Sequence, residues 1–273
     1  MSAAPSGRVF SLRARVAFNR PVGPGIWRLG IRAPLIARAI RPGQFVNLVC
    51  GPPQDPQHPP PFSVFRVDGD VVECLGQVVG RGTTRLSRLK AGDDLDCFGP
   101  LGRGFRVPRG RDVHHVMVAG GIGVAPFYAL GKIIRSAPGR KALLYGAATP
   151  RHLVCLPEFR EACLRVETIA VKGGPRKGFV TRLLEAYLER TPGPWQLYAC
   201  GPTPMLKAVW ALALARGIPC QLSLETPMAC GMGLCKGCSF PRRGAEGFTL
   251  TCREGPVYEA AAIDFDHPAA AGH

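Results

Sequence analysis

The sequence predicts a multidomain α+β protein with an antiparallel β-barrel, a parallel α/β domain and a small C-terminal module built around cysteines. Three observations support this fold class. Short strands separated by turn residues occupy the first part of the chain, strands then alternate with helices, and four cysteines are grouped near the end. These changes of pattern place the parts at residues 1–107, 108–221 and 222–263, followed by a tail at 264–273.

The composition is that of a globular protein. The 273 residues are 46% hydrophobic, which is enough to bury the cores of two domains. The sequence has no run of eighteen apolar residues, so we expect no membrane-spanning segment. The first residues also lack the apolar core of a secretion signal, and a cytoplasmic location is therefore expected.

The chain is strongly basic, with a formal net charge of +16. Its arginines are spread along the whole sequence, without a basic stripe or a known nucleic-acid-binding motif. We therefore expect no nucleic-acid partner. Cofactors that carry phosphate, or an acidic protein partner, explain the charge better.

Two segments of the barrel region have the character of a ligand site. The first is the sequence PPPFSVF at 59–65, and the second is GRGTTRLSRL at 80–89. In the second, Gly82 and Thr83 lie in a turn before a short helix, where backbone N–H groups can bind phosphate. The same pattern also occurs in ordinary loops, so the turn alone does not decide between the two interpretations.

The second domain begins with a buried strand at 113–118 that leads into a glycine-rich turn. Gly120, Gly121 and Gly123 separate this strand from a helix that starts near Pro126. Such a turn places the N-terminus of a helix at a pyrophosphate group, although the spacing G-G-x-G differs from the standard dinucleotide-binding pattern. The alternative is that these glycines only shape the turn.

The rest of this domain continues the alternation of strands and helices. A later strand at 195–200 ends at Gly201 and Pro202, so ligand is expected at the carboxyl edge of the sheet. His114 and His115 are expected at the domain surface, without a role. The further predicted strands are 142–145 and 165–171, and the predicted helices are 179–189 and 205–216.

The C-terminal module contains Cys230, Cys235, Cys238 and Cys252 in the spacing C-x4-C-x2-C followed by a distant fourth cysteine. Three sulfurs on one glycine-rich loop with a distant fourth are typical of the plant-type 2Fe–2S cluster. Structural zinc is the alternative, but zinc ribbons show two C-x2-C pairs and this chain has one. The scattered cysteines are expected to be reduced packing residues: Cys50, Cys74, Cys97, Cys155, Cys163, Cys200 and Cys220.

The order of these motifs resembles the ferredoxin reductase-like flavoproteins. The position of the cysteines after the nucleotide domain makes the chain similar to the electron transfer subunits of NAD-linked dihydroorotate dehydrogenases. The most specific similarity lies in LETPMACGMGLCKGC at 224–238 and TCREGPVY at 251–258. Further similarity lies in the segments around GRGT at 80–83 and YACGP at 198–202.

The resemblance implies three cofactor sites, in the barrel, the α/β domain and the C-terminal module. The residues matching the FAD motifs are Pro61, Phe62, Ser63, Gly82 and Thr83. Those matching the NAD(P) motifs are Gly120, Gly121, Gly123, Pro126, Cys200, Gly201 and Pro202. Those matching the 2Fe–2S ligands are Cys230, Cys235, Cys238 and Cys252.

The implied function is electron transfer in pyrimidine biosynthesis. Electrons would pass from a dihydroorotate dehydrogenase catalytic subunit that contains FMN, through the 2Fe–2S cluster and FAD, to NAD⁺. The expected assembly with that partner is a heterotetramer, and the transfer needs no acid–base residue from this chain. Alternatives are a diaphorase-like subunit of another oxidoreductase, of the ferredoxin–NADP or sulfide reductase type, and a zinc-stabilised binding module without redox activity.

The sequence departs from the family pattern at the expected flavin contacts. Pro60 stands where an arginine usually precedes the Pro-x-Ser motif, and Gly76 and Gln77 replace an aromatic and a basic residue. The missing arginine would bind flavin phosphate through two hydrogen bonds. The candidates to replace it are Arg66, Arg81 and Arg85.

Two charged residues have open roles. Glu225 precedes the cysteine loop and could position the nicotinamide, lie at the subunit contact or cap the loop. Arg151 follows the second strand of the nucleotide domain, where it could bind a 2′-phosphate and favour NADP, or simply be solvated.

Overall fold

Six antiparallel strands close into a barrel at the N-terminal end of the chain, in the order β1-β2-β5-β4-β3-β6. The computed structural model describes residues 8–51, 58–108, 112–162, 165–244 and 246–272. Cys163 lies outside the described residues. The strands are β1 (Phe10–Gly23), β2 (Ile26–Arg32), β3 (Phe45–Leu48), β4 (Pro61–Asp68), β5 (Val71–Gln77) and β6 (Asp94–Leu101).

The alternation of side chains along each strand fills the barrel interior. Trp27, Leu29 and Ile31 of β2 point inward together with Val46 and Leu48 of β3. Since neighbouring side chains on a strand point to opposite faces, the residues between them form the outer surface of the barrel. Two short helices flank the barrel, α1 (Pro34–Ala39), which the sequence did not predict, and α2 (Arg81–Ser87).

A six-stranded sheet forms the second domain, in the order β9-β8-β7-β10-β11-β14. The strands from β7 to β11 are parallel, as predicted from the alternation of strands and helices. They are β7 (His114–Gly120), β8 (Lys141–Ala147), β9 (Arg165–Ala170), β10 (Trp195–Cys200) and β11 (Cys220–Ser223). The helices are α3 (Phe127–Ile134), α4 (Leu156–Ala162), α5 (Val180–Arg190) and α6 (Thr203–Ala215).

The C-terminal module adds an antiparallel strand to this sheet. After a two-stranded ribbon of β12 (Ser239–Pro241) and β13 (Phe248–Leu250), β14 (Val257–Glu259) pairs with β11. Residues 264–273 were predicted as a tail, yet their Phe265 is 4% exposed and packs against Trp210, with ring centroids 5.7 Å apart. The start of this segment therefore contributes to the core.

The barrel and the nucleotide domain share a buried interface. Phe65 of β4 packs against Tyr128 and Phe159, with ring centroids 5.0 Å and 5.7 Å apart. Beside it, Arg28 of β2 forms ion pairs with Glu73 at 2.5 Å and with Glu158 of α4 at 2.8 Å. Because the side chains of both Arg28 and Glu73 are only 4% exposed, this charge network fixes how the two domains meet.

The expectation that both histidines of β7 lie at the surface was wrong for His115. Its ring is fully buried, and its Nδ1 lies 3.1 Å from the hydroxyl of Tyr198 on the adjacent strand β10. Burial lowers the pKa of His115 to about 4. The segment VHHVMV is mainly apolar, but the sequence does not show that the hydroxyl of Tyr198 lies next to the second histidine.

The remaining described cysteines are free thiols. Cys50, Cys74, Cys97 and Cys220 are buried, whereas Cys155 and Cys200 are partly buried. None of the helices among the described residues has both the length and the apolar content needed to cross a bilayer.

We expect Arg28→Met to lower the free energy of unfolding by about 3–5 kcal/mol, because it leaves Glu73 buried without its main partner. Arg13→Met is the matched control. It removes an arginine that is 72% exposed from its ion pair with Asp94, and should cost less than about 1 kcal/mol. Urea denaturation of both variants measures the difference, and equal losses would contradict a role of the buried network.

Candidate redox centre and nucleotide-binding site

The four cysteines of the C-terminal module gather as two pairs. Cys238 and Cys252 lie with their sulfurs 3.2 Å apart. In the other pair, the backbone N–H of Cys235 donates to the sulfur of Cys230 at 3.4 Å. Among the described residues, no three His, Cys, Asp or Glu side chains converge on a single metal ion. Two pairs of sulfurs suit a cluster with two irons better than one tetrahedral zinc.

Backbone N–H groups donate to the sulfur of Cys230 in the first pair. Burial raises the pKa of the Cys230 thiol, but hydrogen bonds from the N–H groups of Cys235 and Met232 outweigh it and the pKa falls to about 6. Cys252 differs, since burial and the adjacent Cys238 raise its pKa to about 12. The loop therefore offers N–H donors to an exposed end of a cluster, while the other pair is buried and receives the N–H of Cys252 at the sulfur of Cys238, at 3.5 Å.

Glycine allows the loop to turn around the sulfurs. Gly231 and Gly233 have φ angles of +69° and +83°, which residues with a side chain rarely adopt. A Cβ atom at Gly231 would also lie 2.6 Å from the side chain of Asn47 on the barrel. Gly231 therefore serves both the turn and a close approach of the loop to the barrel.

The cysteine loop packs directly on the outer face of the barrel. Phe45 of β3 and Leu101 of β6 form one apolar cluster with Cys238 and Cys252, in which all four side chains are buried. The predicted iron ligands and the barrel are thus in contact. Any group held on this face of the barrel lies beside the cysteines.

The first flavin motif lies on the same face, except for Phe62. Pro61 and Ser63 of β4 pair with Asn47 and Phe45 of β3, and cross-strand partners point to the same side of a sheet. Phe62 points into the barrel instead, with its ring 5.5 Å from that of Trp27. Only Pro61 and Ser63 can therefore present side chains to a ligand outside the barrel.

The second flavin motif forms the start of α2. The hydroxyl of Thr83 accepts hydrogen bonds from the N–H groups of Val79 and Gly80, at 2.9 Å and 3.1 Å, and so holds the turn in shape. The N–H groups of Gly82 and Thr83 lie in the first turn of α2, where no helical carbonyl accepts them. Val79 is 79% exposed, so an apolar side chain lies uncovered next to these donors. This combination fits the phosphate and ribityl parts of a flavin nucleotide.

The departures from the family pattern have structural counterparts. The indole of Trp27 on β2 covers Gly76 of β5 and occupies the space a side chain would need there. Of the candidate replacements for the missing arginine, Arg66 is on β4, where it pairs with Asp68 at 3.1 Å and lies 3.9 Å from Glu73. Arg81 and Arg85 are on α2, the helix that begins at the turn of Gly82 and Thr83.

The glycines of the nucleotide domain meet where the strand order of the sheet reverses. β7 and β10 are adjacent in the sheet but distant in sequence, and Gly120 ends β7 while Gly201 follows β10. A Cβ atom at Gly201 would lie 2.9 Å from the Cα of Gly120, and one at Gly123 would lie 2.5 Å from the carbonyl oxygen of Cys200. The missing side chains thus let two loops close on each other at the expected ligand position.

Both prolines of this region stand directly before a helix. Pro126 is the N-cap of α3, which begins one residue later than expected, after a 3₁₀ turn at Gly121–Val124. Pro202 is the N-cap of α6. Gly121 has a φ angle of +55° and open space at its Cβ position, so its backbone is accessible to a ligand.

Cys200 and Glu225 are neighbours at this edge of the sheet. Burial raises the pKa of Cys200 to about 12, and the nearby carboxylate of Glu225 adds to the rise. Although Glu225 as a residue is exposed, partial desolvation of its carboxyl group raises its pKa. The alternative that Glu225 lies beside the nicotinamide segment therefore has support from its position. Arg151 is exposed on a 3₁₀ turn after β8, and its role stays open.

No sequence pattern indicated that Asn47 belongs to the candidate site. It is the only polar residue of β3, in the sequence FVNL, and it is fully buried. A single polar residue within a short apolar strand carries no chemical motif. Its importance becomes visible only from the loop that packs on it.

Two family models match the chain. The iron–sulfur cluster binding domain of dihydroorotate dehydrogenase B matches residues 225–264, and the oxidoreductase NAD-binding domain matches residues 117–210. The first match includes all four cysteines of the loop, which supports iron over zinc.

Curated relatives extend the similarity to nearly the whole chain. The electron transfer subunit of dihydroorotate dehydrogenase B (NAD⁺) from Caldanaerobacter subterraneus subsp. tengcongensis is 34% identical, over 94% of this chain and 99% of the relative. The corresponding subunit from Fusobacterium nucleatum subsp. nucleatum is 31% identical over 91% of this chain and 96% of its own length.

Solved structures confirm the predicted fold class. The structure of an NADH-dependent reduced ferredoxin–NADP oxidoreductase has a TM-score of 0.83 and 25% identity, covering 97% of this chain and 93% of that one. The ferredoxin reductase of carbazole 1,9a-dioxygenase shares the fold with a TM-score of 0.67, covering 79% of this chain and 68% of that one.

The chain thus combines paired cysteines, a barrel face beside them and a glycine-lined sheet edge. Its similarity to these relatives extends over almost its full length. The chain belongs to the family of dihydroorotate dehydrogenase B electron transfer subunits.

Proposed function

We propose that this chain carries electrons from a dihydroorotate dehydrogenase catalytic subunit to NAD⁺ in pyrimidine biosynthesis. The observation that carries the proposal is the contact of the four cysteines with the outer face of the barrel, where the first flavin motif also lies. When bound, the cluster and FAD supply the redox chemistry, and FAD links single-electron steps to hydride transfer. The three predicted segments, 1–107, 108–221 and 222–263, would each hold one of the reacting groups.

The C-terminal module binds the 2Fe–2S cluster through its two cysteine pairs. Cys230 and Cys235 are on the outer part of the loop, whereas Cys238 and Cys252 are buried against the barrel. In this arrangement one end of the cluster would face solvent or a partner, and the other would face the flavin side.

The barrel holds FAD between β4 and α2. Pro61 and Ser63 would contact the flavin ring system, while the N–H groups of Gly82 and Thr83 would bind its phosphates. Phe62 would support this face from inside the barrel. With Pro60 at the usual arginine position, Arg81 and Arg85 are the nearest candidates to neutralise phosphate charge, because they are on the same helix as Gly82 and Thr83.

The nucleotide domain binds the nicotinamide nucleotide at the β7–β10 edge. Gly120, Gly121 and Gly123, followed by Pro126, would approach the pyrophosphate. The segment of Cys200, Gly201 and Pro202 would lie beside the nicotinamide, with Glu225 as its neighbour. In this role the chain orients the nucleotide toward the flavin and supplies no acid–base group.

The partner is expected to be a catalytic subunit that contains FMN, in a heterotetramer. Support comes from two exposed apolar side chains on the cysteine loop, Met232 at 52% and Leu234 at 77% exposure. Such residues next to a redox centre suit a protein contact, because a cluster must come close to its electron donor. The net charge of +16 favours an acidic partner surface. The cytoplasmic location stays a prediction.

Protein purified without oxygen should contain about two irons and two acid-labile sulfides per chain, together with FAD. NADH should bleach its visible spectrum. Cys252→Ser should lose most of the iron but keep the flavin, because the residues proposed to hold FAD are on β4 and α2. Colourless protein containing zinc and no iron would contradict the proposal.

A second experiment tests the electron donor. With the co-purified catalytic subunit, dihydroorotate should reduce the chain, whereas reduction by ferredoxin alone would favour the diaphorase-like alternative.

Gly123→Ala should weaken NADH binding at least tenfold, or by about 1.4 kcal/mol. The reason is that the new methyl group would lie 2.5 Å from the carbonyl oxygen of Cys200 and push the two loops apart. Fluorescence titration with NADH measures the dissociation constant. The flavin content is the internal control, since FAD binds in the other domain, and an unchanged dissociation constant would argue against this site.

Leu234→Glu should reduce binding of the catalytic subunit about tenfold or more, because it places a charge in an apolar contact. Iron content should not change, since this side chain points away from the sulfurs into solvent. The matched control is Ile133→Glu on α3, which is 49% exposed and outside the cysteine module. Co-purification yields and titration calorimetry compare the two variants, and equal affinities would place the partner elsewhere.

A further inference from the structure

The side chain of Asn47 is an unexplained polar group in the core of the molecule. It is 0% exposed, and among the described residues neither its Oδ1 nor its Nδ2 has a hydrogen-bond partner. A buried carboxamide without partners is costly, because it has lost its hydrogen bonds to water and gained none. An apolar residue of similar size would serve the packing better. Its presence therefore points to a partner that the polypeptide does not provide.

The strand that carries Asn47 defines where this partner must lie. Val46 and Leu48 point into the barrel core, so Phe45 and Asn47 point outward. Phe45 belongs to the same buried cluster as Cys238 and Cys252. The side chain of Asn47 therefore faces the cysteine module and not the barrel interior.

Two contacts place Asn47 between the proposed cofactors. A Cβ atom at Gly231 would lie 2.6 Å from Asn47 Nδ2, and Gly231 directly follows the cysteine Cys230. On its other side, Asn47 pairs across the sheet with Pro61, the first residue of the flavin motif. No other described residue combines complete burial, an unpartnered amide and contact with both of these segments.

We propose that Asn47 sets the reduction potential of the cluster by donating a hydrogen bond from its carboxamide to a sulfur of the bound cluster. The proposal rests on the proposed function, since it requires the 2Fe–2S cluster to be bound at these cysteines. Reduction adds negative charge to the sulfurs, and an N–H donor stabilises that charge in a site without water. Asn47 thereby raises the potential of the cluster and favours its acceptance of an electron.

The closeness of Asn47 to both segments gives it a second effect. Because its backbone belongs to the strand next to the flavin motif, the hydrogen bond would tie the cysteine loop to the barrel. The loop then keeps a fixed separation from the flavin. Asn47 is a cofactor-contacting and positioning residue in this scheme, and it exchanges no proton with substrate.

The test is the variant Asn47→Leu, which keeps the approximate size of the side chain and removes both polar atoms. We expect the cluster potential to become more negative, so that the ratio of reduced to oxidised cluster at the wild-type midpoint falls severalfold. A tenfold fall corresponds to about 59 mV for a one-electron couple. EPR-monitored redox titration of the purified full-length protein measures the shift directly.

Val46→Ala is the matched control on the same strand. It removes buried methyl groups on the opposite face, so it should lower the melting temperature and leave the cluster potential unchanged. If Asn47→Leu does not fold, Asn47→Asp keeps the shape while removing the N–H donor, and it should also lower the potential.

The outcomes separate this proposal from the proposed function. An iron-containing Asn47→Leu or Asn47→Asp protein with the wild-type potential would overturn the proposal, as would an equal shift in Val46→Ala. If the Asn47 amide instead bound a buried water, the variants would keep the wild-type cluster potential, and this result would also overturn the proposal. Wild-type protein without iron or an EPR signal would instead refute the proposed function.

Discussion

The contact between the cysteine loop and the outer face of the barrel is the constraint on which the rest of the arrangement depends. Electron transfer needs redox centres that are close and held at a fixed distance. Here Phe45 and Leu101 pack against Cys238 and Cys252, so the polypeptide brings the two predicted cofactor sites together without a flexible linker. The turn at Gly231 makes this approach possible, since a side chain there would collide with Asn47.

A second interface fixes the nucleotide domain to the barrel. Arg28 is buried between Glu73 and Glu158, and it lies 4.8 Å from the ring centroid of Phe65. A buried charge network is a weak source of net stability, but it tolerates only one geometry. The barrel is therefore fixed by two interfaces, an apolar one with the cysteine module and a mixed one with the nucleotide domain, in which the Arg28 network lies beside the packed rings of Phe65, Tyr128 and Phe159.

The flavin site shows how the chain departs from its relatives without losing the architecture. The usual arginine is replaced by Pro60, and the position of an aromatic residue is held by Gly76 with Trp27 folded over it. The indole of Trp27 lies in the barrel core, so it fills the space beside Gly76 without presenting an aromatic surface outside the barrel. In the proposed flavin site, charge for the phosphates would come from the turn and the arginines of α2.

The sequence by itself determined the features that depend on local spacing. The C-x4-C-x2-C pattern, the strand–glycine–helix unit and the alternation of strands with helices are short-range signals, and they predicted the fold class correctly. The tertiary structure decided the rest. The pairing of the cysteines, the burial of His115 against Tyr198 and the position of Asn47 between two segments all join residues far apart in sequence. Such contacts form only when the domains pack. No pattern along the chain indicates which surfaces will meet, so the sequence could not predict them.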